Sequence, residues 1–564
     1  MHRLFYYTIL FFALFFLVVF CLLSSIAYPL FFNKVILLAS LDSKRELLAT
    51  IVTLELYARL KDAALFLTFF HGILLVIYFK KPVYFSKIKA GLQAVLSYPK
   101  WLWSNFSKLS YIDKWMLAGM LVLVLVQRLF LNHTTDVIYD EAWTYLAFTS
   151  KNPLVAACFY PTSNNHILFS HVTQITKILP FSILTNIRLA ALVPNILAIL
   201  TLFFCLRTYF KPLPVWTATL FFAFSFPIVY YGFVARGYSL VVLFFSIGFF
   251  SLLQIVRQPS NSKAWFRLML SSVLGFYTIP VYLYPFLTLF GFALFYFLYL
   301  KNRQASWQVI KHGLATCLLT FLVYLPVFVV GGVGAVTHNK FVTPLTYEKV
   351  LSGFVNHVRH TIYFFLGNSA YWVFALLGSI VLFAILFRKN KDYKAATLFS
   401  LVCLCMAPIF IFIHKIIPVE RTWIYFMVPL AFLMALFLNA NKWVYPLFIL
   451  TSAMLFINNL GWNRQMIWYD SVCEEDYRQG KWFSTYFQGK EATIITPSRV
   501  NTYLKFNGKL NKEAWTVSEE VMDSIPSNAY YIHYLKGKKL EIIPDDFKVI
   551  HTYMDYDLLK YETK

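Results

Sequence analysis

The stretch Trp115–Trp143, WMLAGMLVLVLVQRLFLNHTTDVIYDEAW, joins a long apolar run to a cluster of carboxylates. The run over residues 115–132 is long enough to cross a hydrocarbon core of about 30 Å as an α-helix. Asp136, Asp140 and Glu141 follow it directly, in a chain of which only 13% is charged. The stretch therefore predicts a membrane span that ends in acidic side chains at the membrane surface.

Similar apolar runs recur along most of the chain. The 564 residues are 59% hydrophobic and 20% aromatic, which is too apolar for a water-soluble globular protein. Runs of spanning length lie near residues 4–26, 62–79, 115–132, 187–207, 215–234, 238–256, 266–283, 284–300, 309–330, 370–387, 396–414, 422–438 and 443–459. The sequence predicts a mainly α, polytopic membrane helical bundle of about 13 spans.

The net charge of +24 is distributed unevenly. Residues 460–564 hold 14 Lys/Arg and 15 Asp/Glu, so the basic excess lies in the membrane part. There it concentrates in alternate connections, which the positive-inside rule assigns to the cytoplasm. The charge thus indicates topology, and no nucleic-acid partner is expected. The other connections, among them residues 133–186, the turn near residue 236, residues 414–421 and everything after 459, are predicted to lie on the outer side.

Three blocks follow from this topology. Residues 1–112 form a two-span N-terminal extension with a basic cytoplasmic segment, and residues 113–459 form the main transmembrane bundle. Residues 460–564 change to mixed charge with Gly and Pro, and their short runs ATIITP and AYYIHYL have β-type composition. We expect a small exported α/β domain in this last block.

Acidic residues are rare enough in the bundle to be informative. Of the seven in residues 113–459, three are Asp136, Asp140 and Glu141. Asp140 precedes EAWTYLAF, so its side chain suits the N-cap of a helix, and Glu141 then favours the helix dipole. A carboxylate held in this way is also well oriented as a general base, so both interpretations stay open.

A second polar stretch in the same loop is PTSNNHILFSHVTQITKILP, residues 161–180. Its apolar residues repeat at helical spacing, Asn164 or Asn165 can cap the helix, and Pro180 can end it. His166 would begin this helix near its positive end. It is either a surface or capping residue or a polar contact to a substrate.

Two arginines stand where predicted spans begin on the outer side. Arg236 lies in YYGFVARGYSLVV, and Arg421 follows Glu420 in HKIIPVERTWIYF. An arginine beside the free amides of a helix N-terminus favours a phosphate, although each arginine can instead extend to lipid headgroups. Carboxylates and arginines together suit group transfer from a lipid phosphate, because a carboxylate can take the proton of an acceptor hydroxyl while arginines stabilise the departing phosphate.

In these motifs the chain resembles the C-type (GT-C) glycosyltransferases, in the branch of the protein O-mannosyltransferases and the bacterial aminoarabinose transferases. The acidic motif of that family is matched by Asp140-Glu141-Ala142 with Tyr145, and its His-containing stretch by Asn165-His166. Its two later arginine motifs are matched by Ala235-Arg236-Gly237-Tyr238 and by Pro418–Arg421. Val234 replaces an acid that often precedes Ala-Arg in the family, and the two spans before Asp113 are extra.

The resemblance implies an inverting glycosyltransferase with a GT-C-like fold, at the outer face of the plasma (inner) membrane. It would move a hexosyl or pentosyl group from a polyprenyl-phosphate sugar to a protein, lipid or glycan acceptor. Asp140 would be the general base, Glu141 would orient the acceptor or a neighbouring group, and Arg236 and Arg421 would bind the donor phosphate. The other expected substrate contacts are Asn165, His166, Tyr238 and Glu420. A divalent cation is compatible with the resemblance but is not required, so the metal is left open.

Other functions stay open as alternatives. A transporter or flippase of lipid-linked sugar would place ionisable groups within spans, whereas most here lie at the membrane surface. A polysaccharide polymerase or ligase would require a lipid-diphosphate donor. In a non-catalytic scaffold the acids would be helix caps and the C-terminal domain would bind a partner. If the acceptor were itself a phosphate, no general base would be needed and Asp140 would have another role.

Overall fold

The computed structural model describes most of the chain. The ranges it describes are residues 2–39, 51–80, 89, 91–93, 96–162, 164–338, 343–366, 394–440, 445–459, 468–496, 500–518, 526–534, 547–553 and 556–561. Within them, long helices dominate and the strands are confined to the C-terminal part. The predicted fold class, a mainly α membrane bundle with a small α/β domain, is confirmed.

Nine helices among the described residues are long and apolar enough to cross a membrane. They are Tyr6–Ser25, Leu54–Lys80, Tyr111–Thr134, Ile183–Leu206, Tyr238–Arg257, Pro280–Tyr299, Arg303–Gly331, Lys394–His414 and Glu420–Asn439. A bent pair of helices raises the number to ten if the pair is a single span. The protein is therefore a multi-pass membrane protein.

Ten of the about 13 predicted spans correspond to these helices if the bent pair is counted as one span. The run near 266–283 is a helix of 17 residues, Ser262–Thr278, and the run near 443–459 is a helix of 14 residues, Tyr445–Asn458. The first is at the lower limit of about 17 residues for a span, and the second begins beside residues outside the described ranges, so neither is counted among the nine. The predicted span 370–387 lies outside the described residues.

The bent pair consists of Pro212–Phe224 and Phe226–Phe233, which meet at 57°. Pro227 has no N–H, so it cannot donate to the carbonyl of Ala223 four residues earlier. Arg128, from a neighbouring membrane helix, donates to that carbonyl instead. A side chain thus replaces the backbone bond lost at the break, as a kink at membrane depth requires.

Other helices connect and flank the spans. These are Tyr28–Ala39, Tyr98–Ser107, Tyr139–Thr144, Pro153–Cys158, Ile167–Thr176, Ser262–Thr278, Gly334–Thr337, Tyr347–Leu366, Tyr445–Asn458, Trp468–Tyr486 and Val500–Asn511, with one π-helical turn at Tyr145–Thr149. The loop between Tyr111–Thr134 and Ile183–Leu206 carries three of these helices and the π-helical turn. We call this loop, residues 135–182, the acidic loop.

The chain forms two compact units. The first comprises residues 1–108, 157–163 and 247–343, and within it His2–Ser25 packs along Leu54–Lys80. The second comprises residues 109–156, 164–246 and 344–564, and it contains all the candidate site residues. The block boundaries expected at residues 112 and 459 stay a prediction.

The C-terminal domain contains a five-stranded mixed sheet of order β2-β1-β3-β5-β4. The strands are β1 (Thr493–Ile495), β2 (Thr516–Ser518), β3 (Ala529–Tyr534), β4 (Phe547–Tyr553) and β5 (Tyr556–Tyr561). β1 is parallel to β2 and β3, with Val500–Asn511 as the crossover helix from β1 to β2, whereas β5 is antiparallel to β3 and β4. β1 and β3 coincide with the two runs of β-type composition.

This crossover helix also packs on the acidic loop within the second unit. Tyr503 and Phe506 form a buried cluster with Val137 and Ala142, and the ring of Phe506 meets that of Tyr145 edge-on at 5.6 Å. Burial of such aromatic side chains is strongly favourable. The acidic loop is thus held between membrane helices and the C-terminal domain.

Candidate functional site

Asp140 lies in the second position of the short helix Tyr139–Thr144, and its side chain is only 3% exposed. The N-cap residue of this helix is Ile138, so the expectation that Asp140 is the N-cap is wrong. Glu141 makes the capping contact instead, because its carboxylate accepts from the Ile138 N–H at 3.1 Å. The Asp140 side chain is therefore available for contacts outside its own helix.

Those contacts come from three separate segments of the second unit. Arg421 approaches Oδ2 of Asp140 to 3.6 Å and Arg236 approaches the same oxygen to 3.7 Å. Asn164 Nδ2 donates to Oδ1 at 3.0 Å. A carboxylate, two guanidinium groups and a carboxamide thus converge on one point, although they are separated by up to about 280 positions in sequence.

The charge state of Asp140 follows from these neighbours. Burial alone raises the pKa of a carboxyl, but Arg236 and Arg421 favour the carboxylate, and so does the hydrogen bond from Asn164. Their combined effect is larger, and the pKa of Asp140 lies below its ordinary value of 3.8. Asp140 is ionised at neutral pH.

Glu141 has a different environment from its neighbour. Its carboxylate forms a buried bidentate pair with Arg188, with Nε to Oε1 at 2.9 Å and Nη2 to Oε2 at 2.8 Å. Oε1 also accepts from the Ala235 N–H at 2.7 Å. Glu141 is fully buried, so it orients neighbouring protein groups, among them the turn that carries Arg236.

Arg188 was not singled out from the sequence. It lies near the start of the helix Ile183–Leu206, and besides Glu141 it donates to the backbone carbonyls of Asn132, Thr135 and Asp136 at 2.8–2.9 Å. These carbonyls stand at the end of the helix Tyr111–Thr134 and just beyond it, where carbonyls lack helical partners. The signal that could have found Arg188 is a charged residue at the end of a predicted span.

Arg236 is held by the acidic loop through several bonds. Nη1 donates to Thr144 Oγ1 at 3.2 Å and to the Asn164 carbonyl at 3.1 Å, while Nη2 donates to Asn164 Oδ1 at 3.0 Å. Nη2 also lies 3.1 Å from His166 Nε2. The guanidinium therefore joins the part of the loop that contains Thr144 to the part that contains Asn164, and it also faces Asp140.

His166 is buried beside both arginines. Its Nδ1 accepts from the Gly237 N–H at 2.9 Å, and its ring meets that of Tyr238 edge-on at 5.2 Å. Burial, with the charges of Arg236 and Arg421, holds the pKa of His166 well below 6.5. His166 is neutral at physiological pH.

Two local expectations need correction. The N-cap of the helix Ile167–Thr176 is His166 itself, without a side-chain capping bond, and not Asn164 or Asn165. The turn at Arg236 was expected to offer free amides to a phosphate, but the amides of Ala235 and Gly237 donate to Glu141 and His166. Side chains, and not these two amides, would have to hold a phosphate here.

The two neighbouring asparagines have different roles. Asn164 bridges Asp140 and Arg236, as described above. Asn165 is fully buried, donates to the Ala156 carbonyl at 2.9 Å, and accepts from Ser170 Oγ at 3.0 Å. It therefore holds the loop together, and a substrate contact by Asn165 stays a prediction.

Arg421 and Tyr238 complete the site. Arg421 lies in the 3-10 helix Glu420–Phe426, with its guanidinium carbon 5.8 Å from the ring centre of Tyr238. Its side chain is 15% exposed, against 3% for Arg236, so it is the more open of the two arginines. Glu420 forms no ion pair with another residue that the structure describes, and its predicted substrate contact stays a prediction.

The residues around Asp140 do not fit a divalent cation. Two guanidinium groups lie within ion-pair distance of its carboxylate and would repel such an ion. Glu141 is neutralised by Arg188. Within the described ranges, no group of three or more His, Cys, Asp or Glu side chains converges as metal ligands would. The Asp140 carboxylate is therefore paired with arginines and does not form a metal site with the described residues around it.

Comparison with protein-family models and with curated proteins gives no match. Among solved structures, the chain is similar to the archaeal oligosaccharyltransferase AglB from Archaeoglobus fulgidus in complex with an inhibitory peptide and a dolichol-phosphate, at a TM-score of 0.43 and 12% identity. The match covers 72% of this chain and 65% of AglB, which is less than two thirds of that protein.

Proposed function

We propose that the protein is a membrane glycosyltransferase that moves a sugar from a polyprenyl-phosphate donor to an acceptor hydroxyl. The observation that carries the proposal is the convergence of Asp140, Arg236 and Arg421, with ion-pair distances of 3.6 and 3.7 Å. A buried carboxylate supplies a proton acceptor, and guanidinium groups are the preferred partners of phosphate. The matches to GT-C motifs at these residues support the same function.

The transfer step needs only these groups. An ionised Asp140 takes the proton of the acceptor hydroxyl, whose oxygen forms a bond to the anomeric carbon from the face opposite the phosphate. The bond between that carbon and the phosphate oxygen breaks, and its electron pair leaves with the polyprenyl phosphate. The anomeric configuration is inverted, and the charge that develops on the phosphate is stabilised by arginine.

Arg421 is the better candidate for the first contact with the donor phosphate. Arg236 is already bonded to Thr144 and Asn164 within the loop, whereas Arg421 is more exposed. A phosphate that draws Arg421 away from Asp140 would weaken one of the interactions that lower the pKa of this carboxyl. Donor binding would then make Asp140 a stronger base, which couples binding to proton transfer.

The topology supports an orientation for the reaction. Basic residues concentrate in the connections that alternate with the site-bearing loops, and by the positive-inside rule this supports a location of Asp140 on the outer side. The membrane of the proposal is the plasma (inner) membrane. A polyprenyl chain would lie in the bilayer while its phosphate reaches the arginines. The acceptor is a protein, a lipid or a glycan on that side.

The proposal is tested by transfer with the purified protein in lipid nanodiscs. Radiolabelled polyprenyl-monophosphate hexose or pentose is supplied as donor, with separate protein, lipid and glycan fractions of the host envelope as acceptors. We expect label in one acceptor fraction, with inverted anomeric configuration and release of polyprenyl phosphate. Transfer only from a lipid-diphosphate donor would indicate a polymerase or ligase. Movement of intact donor across a proteoliposome membrane without transfer would indicate a transporter.

A further inference from the structure

A cavity of about 660 Å³ lies beside the acidic loop, within the second unit. One wall is formed by Trp143, Leu146 and Lys151 of the loop, and the other by the crossover helix Val500–Asn511 and the residues that follow it. The volume is within the range of about 300–1,000 Å³ that is usual for ligand sites. We call it the basic cavity, and none of the steps proposed above uses it.

The charge of the basic cavity is strongly biased. Lys505 and Lys509 are four residues apart and lie on one side of the crossover helix, Lys512 follows just beyond the end of that helix, and Lys151 faces them from the loop. Burial and the nearby charge of Lys151 lower the pKa of Lys509. Among the lining residues that the structure describes, Glu513 is the one acid, and its carboxylate already accepts from the Gly489 N–H at 2.9 Å. Like charges crowded in this way favour an anionic ligand.

Two tryptophans add hydrogen-bond donors to the lining. Trp515 is 6% exposed, and its buried indole N–H has no partner among the described residues. A Cβ added at Gly508 would lie 2.8 Å from that nitrogen, so the glycine allows the crossover helix to approach the indole closely. The buried indole N–H of Trp143 likewise has no partner in the described chain. A buried donor without a partner is rare in native proteins, and a ligand oxygen would supply one.

One lining residue of the basic cavity, Trp143, is close in sequence to the proposed base Asp140. Trp143 belongs to the same short helix as Asp140, one turn further on. Its ring stacks on that of Tyr139 at 6.5 Å, which fixes its orientation. A ligand held against Trp143 would therefore be positioned by the helix that carries the proposed base.

We propose that the basic cavity binds an anionic saccharide, namely a segment of an acceptor glycan that carries carboxylate groups. Lysines would pair with the carboxylates, the indole N–H groups would donate to sugar oxygens, and the indole rings would cover the apolar faces of the sugar. The proposal rests on the proposed function for the identity of the ligand as acceptor. It narrows that function from any acceptor to an acidic glycan.

The test measures binding to the full chain in nanodiscs of neutral lipid, by tryptophan fluorescence and equilibrium dialysis, without a donor. The probes are hexagalacturonate, which is acidic, and maltohexaose, which is its neutral counterpart. We expect saturable binding of hexagalacturonate at least about 10-fold tighter than binding of maltohexaose, since bonds to charged groups are roughly twice as strong as neutral ones and several lysines contribute. The binding should weaken as salt is raised.

Variants assign the binding to this cavity. Lys509→Gln combined with Lys512→Gln should weaken hexagalacturonate binding by roughly 10-fold or more. Trp515→Phe keeps an aromatic ring but removes the indole N–H, so it should also weaken the binding. Lys560→Gln, at an exposed lysine of strand β5 that does not line the cavity, is the matched control and should bind as wild type. Unfolding temperature and a monodisperse elution profile check that each variant is folded.

Several outcomes would overturn the proposal. They are equal binding of the two saccharides, no saturable binding of either, unchanged binding in the folded lysine variant, and full displacement by inorganic phosphate or by anionic phosphatidylglycerol vesicles at matched charge. Because the assay needs no turnover, binding that depends on these lysines supports the cavity even if no transfer is detected. Transfer to a neutral acceptor without hexagalacturonate binding would keep the proposed function and reject this inference.

Discussion

Arg188 and Glu141 form a bidentate ion pair with N–O distances of 2.9 and 2.8 Å, and the side chains are 1% and 0% exposed. The pair joins a membrane helix to the short helix that carries Asp140. Glu141 also binds the amide of Ala235, beside Arg236. The geometry of the candidate site thus depends on a buried pair that need not touch a substrate.

Replacement of Glu141 by Gln should destabilise the protein by about 3–5 kcal/mol, because it leaves the Arg188 charge buried without a compensating carboxylate. The measurement is the free energy of unfolding from a denaturant titration in detergent. Asp136→Asn is the matched control, since Asp136 is 47% exposed and pairs with the exposed Lys481 at 3.4 Å, and it should cost less than about 1 kcal/mol. Similar losses in the two variants would contradict a structural role specific to the buried pair.

Asn164 should set the acid limb of the pH–rate profile. Its hydrogen bond to Asp140 favours the carboxylate, so Asn164→Ala should raise the pKa of Asp140. The base would then become protonated at a higher pH, and kcat/KM would begin to fall earlier as the pH is lowered. Asn152→Ala, at an exposed asparagine of the same loop that bonds the Leu154 N–H, should leave the profile in place. An acid limb that does not move in Asn164→Ala argues that Asp140 is not the group that titrates.

His166 should make stability depend on pH below 6.5. Its folded pKa lies well below the unfolded value of 6.5, so the unfolded chain binds more protons in that range. Stability should therefore be full above pH 6.5 and should fall by up to about 1.4 kcal/mol for each pH unit below it, until the folded pKa is reached. His166→Gln should make this slope shallower, whereas His133→Gln, at an exposed histidine, should not. Equal slopes in wild type and His166→Gln would show that His166 titrates normally.

Two glycines of membrane helices should respond oppositely to alanine. A Cβ at Gly232 would lie 2.8 Å from Asn195 Oδ1 and 3.1 Å from Arg128 Nε, so Gly232→Ala should cost about 1–3 kcal/mol through overpacking. A Cβ at Gly119 would meet nothing within 4 Å, so Gly119→Ala should be neutral or should stabilise by up to about 1 kcal/mol. Unfolding titrations of the two variants decide the matter. A loss of stability in Gly119→Ala as large as that in Gly232→Ala would mean that the contacts of the added Cβ do not determine the effect of either substitution.

Most of the fold could be predicted because length and hydropathy alone identify membrane spans. The runs near 115–132 and 187–207 became the helices Tyr111–Thr134 and Ile183–Leu206, a few residues longer at most ends. The break at Pro227 was not predicted, since whether a proline kinks a span depends on a partner such as Arg128 for the freed carbonyl. The run near 266–283 became the helix Ser262–Thr278, which begins earlier and ends earlier than predicted, because composition does not reveal where a helix ends.

The candidate site was predictable only in part. Asp140, Arg236 and Arg421 could be chosen because charges are rare at the outer ends of spans, and the structure brings the three together. Asn165 was chosen as a substrate contact, but Asn164 is the residue that contacts Asp140, because both lie outside a regular helix and no periodicity tells which side chain faces that carboxylate. Arg188 also stands at the outer end of a predicted span, so the same rule applied to it, but its pairing with Glu141, 47 positions away, could not be read from the sequence.

The most direct test of the account compares two carboxylates of the same loop, Asp140 and Asp136. Transfer of sugar from the polyprenyl-phosphate donor is measured for folded Asp140→Asn and Asp136→Asn, together with donor binding. Loss of a general base should lower kcat of Asp140→Asn by about 10²–10⁴-fold, with donor binding retained, while Asp136→Asn stays near wild type. A wild-type rate in folded Asp140→Asn would mean that this carboxylate only anchors Arg236 and Arg421, and the proposed mechanism would be wrong.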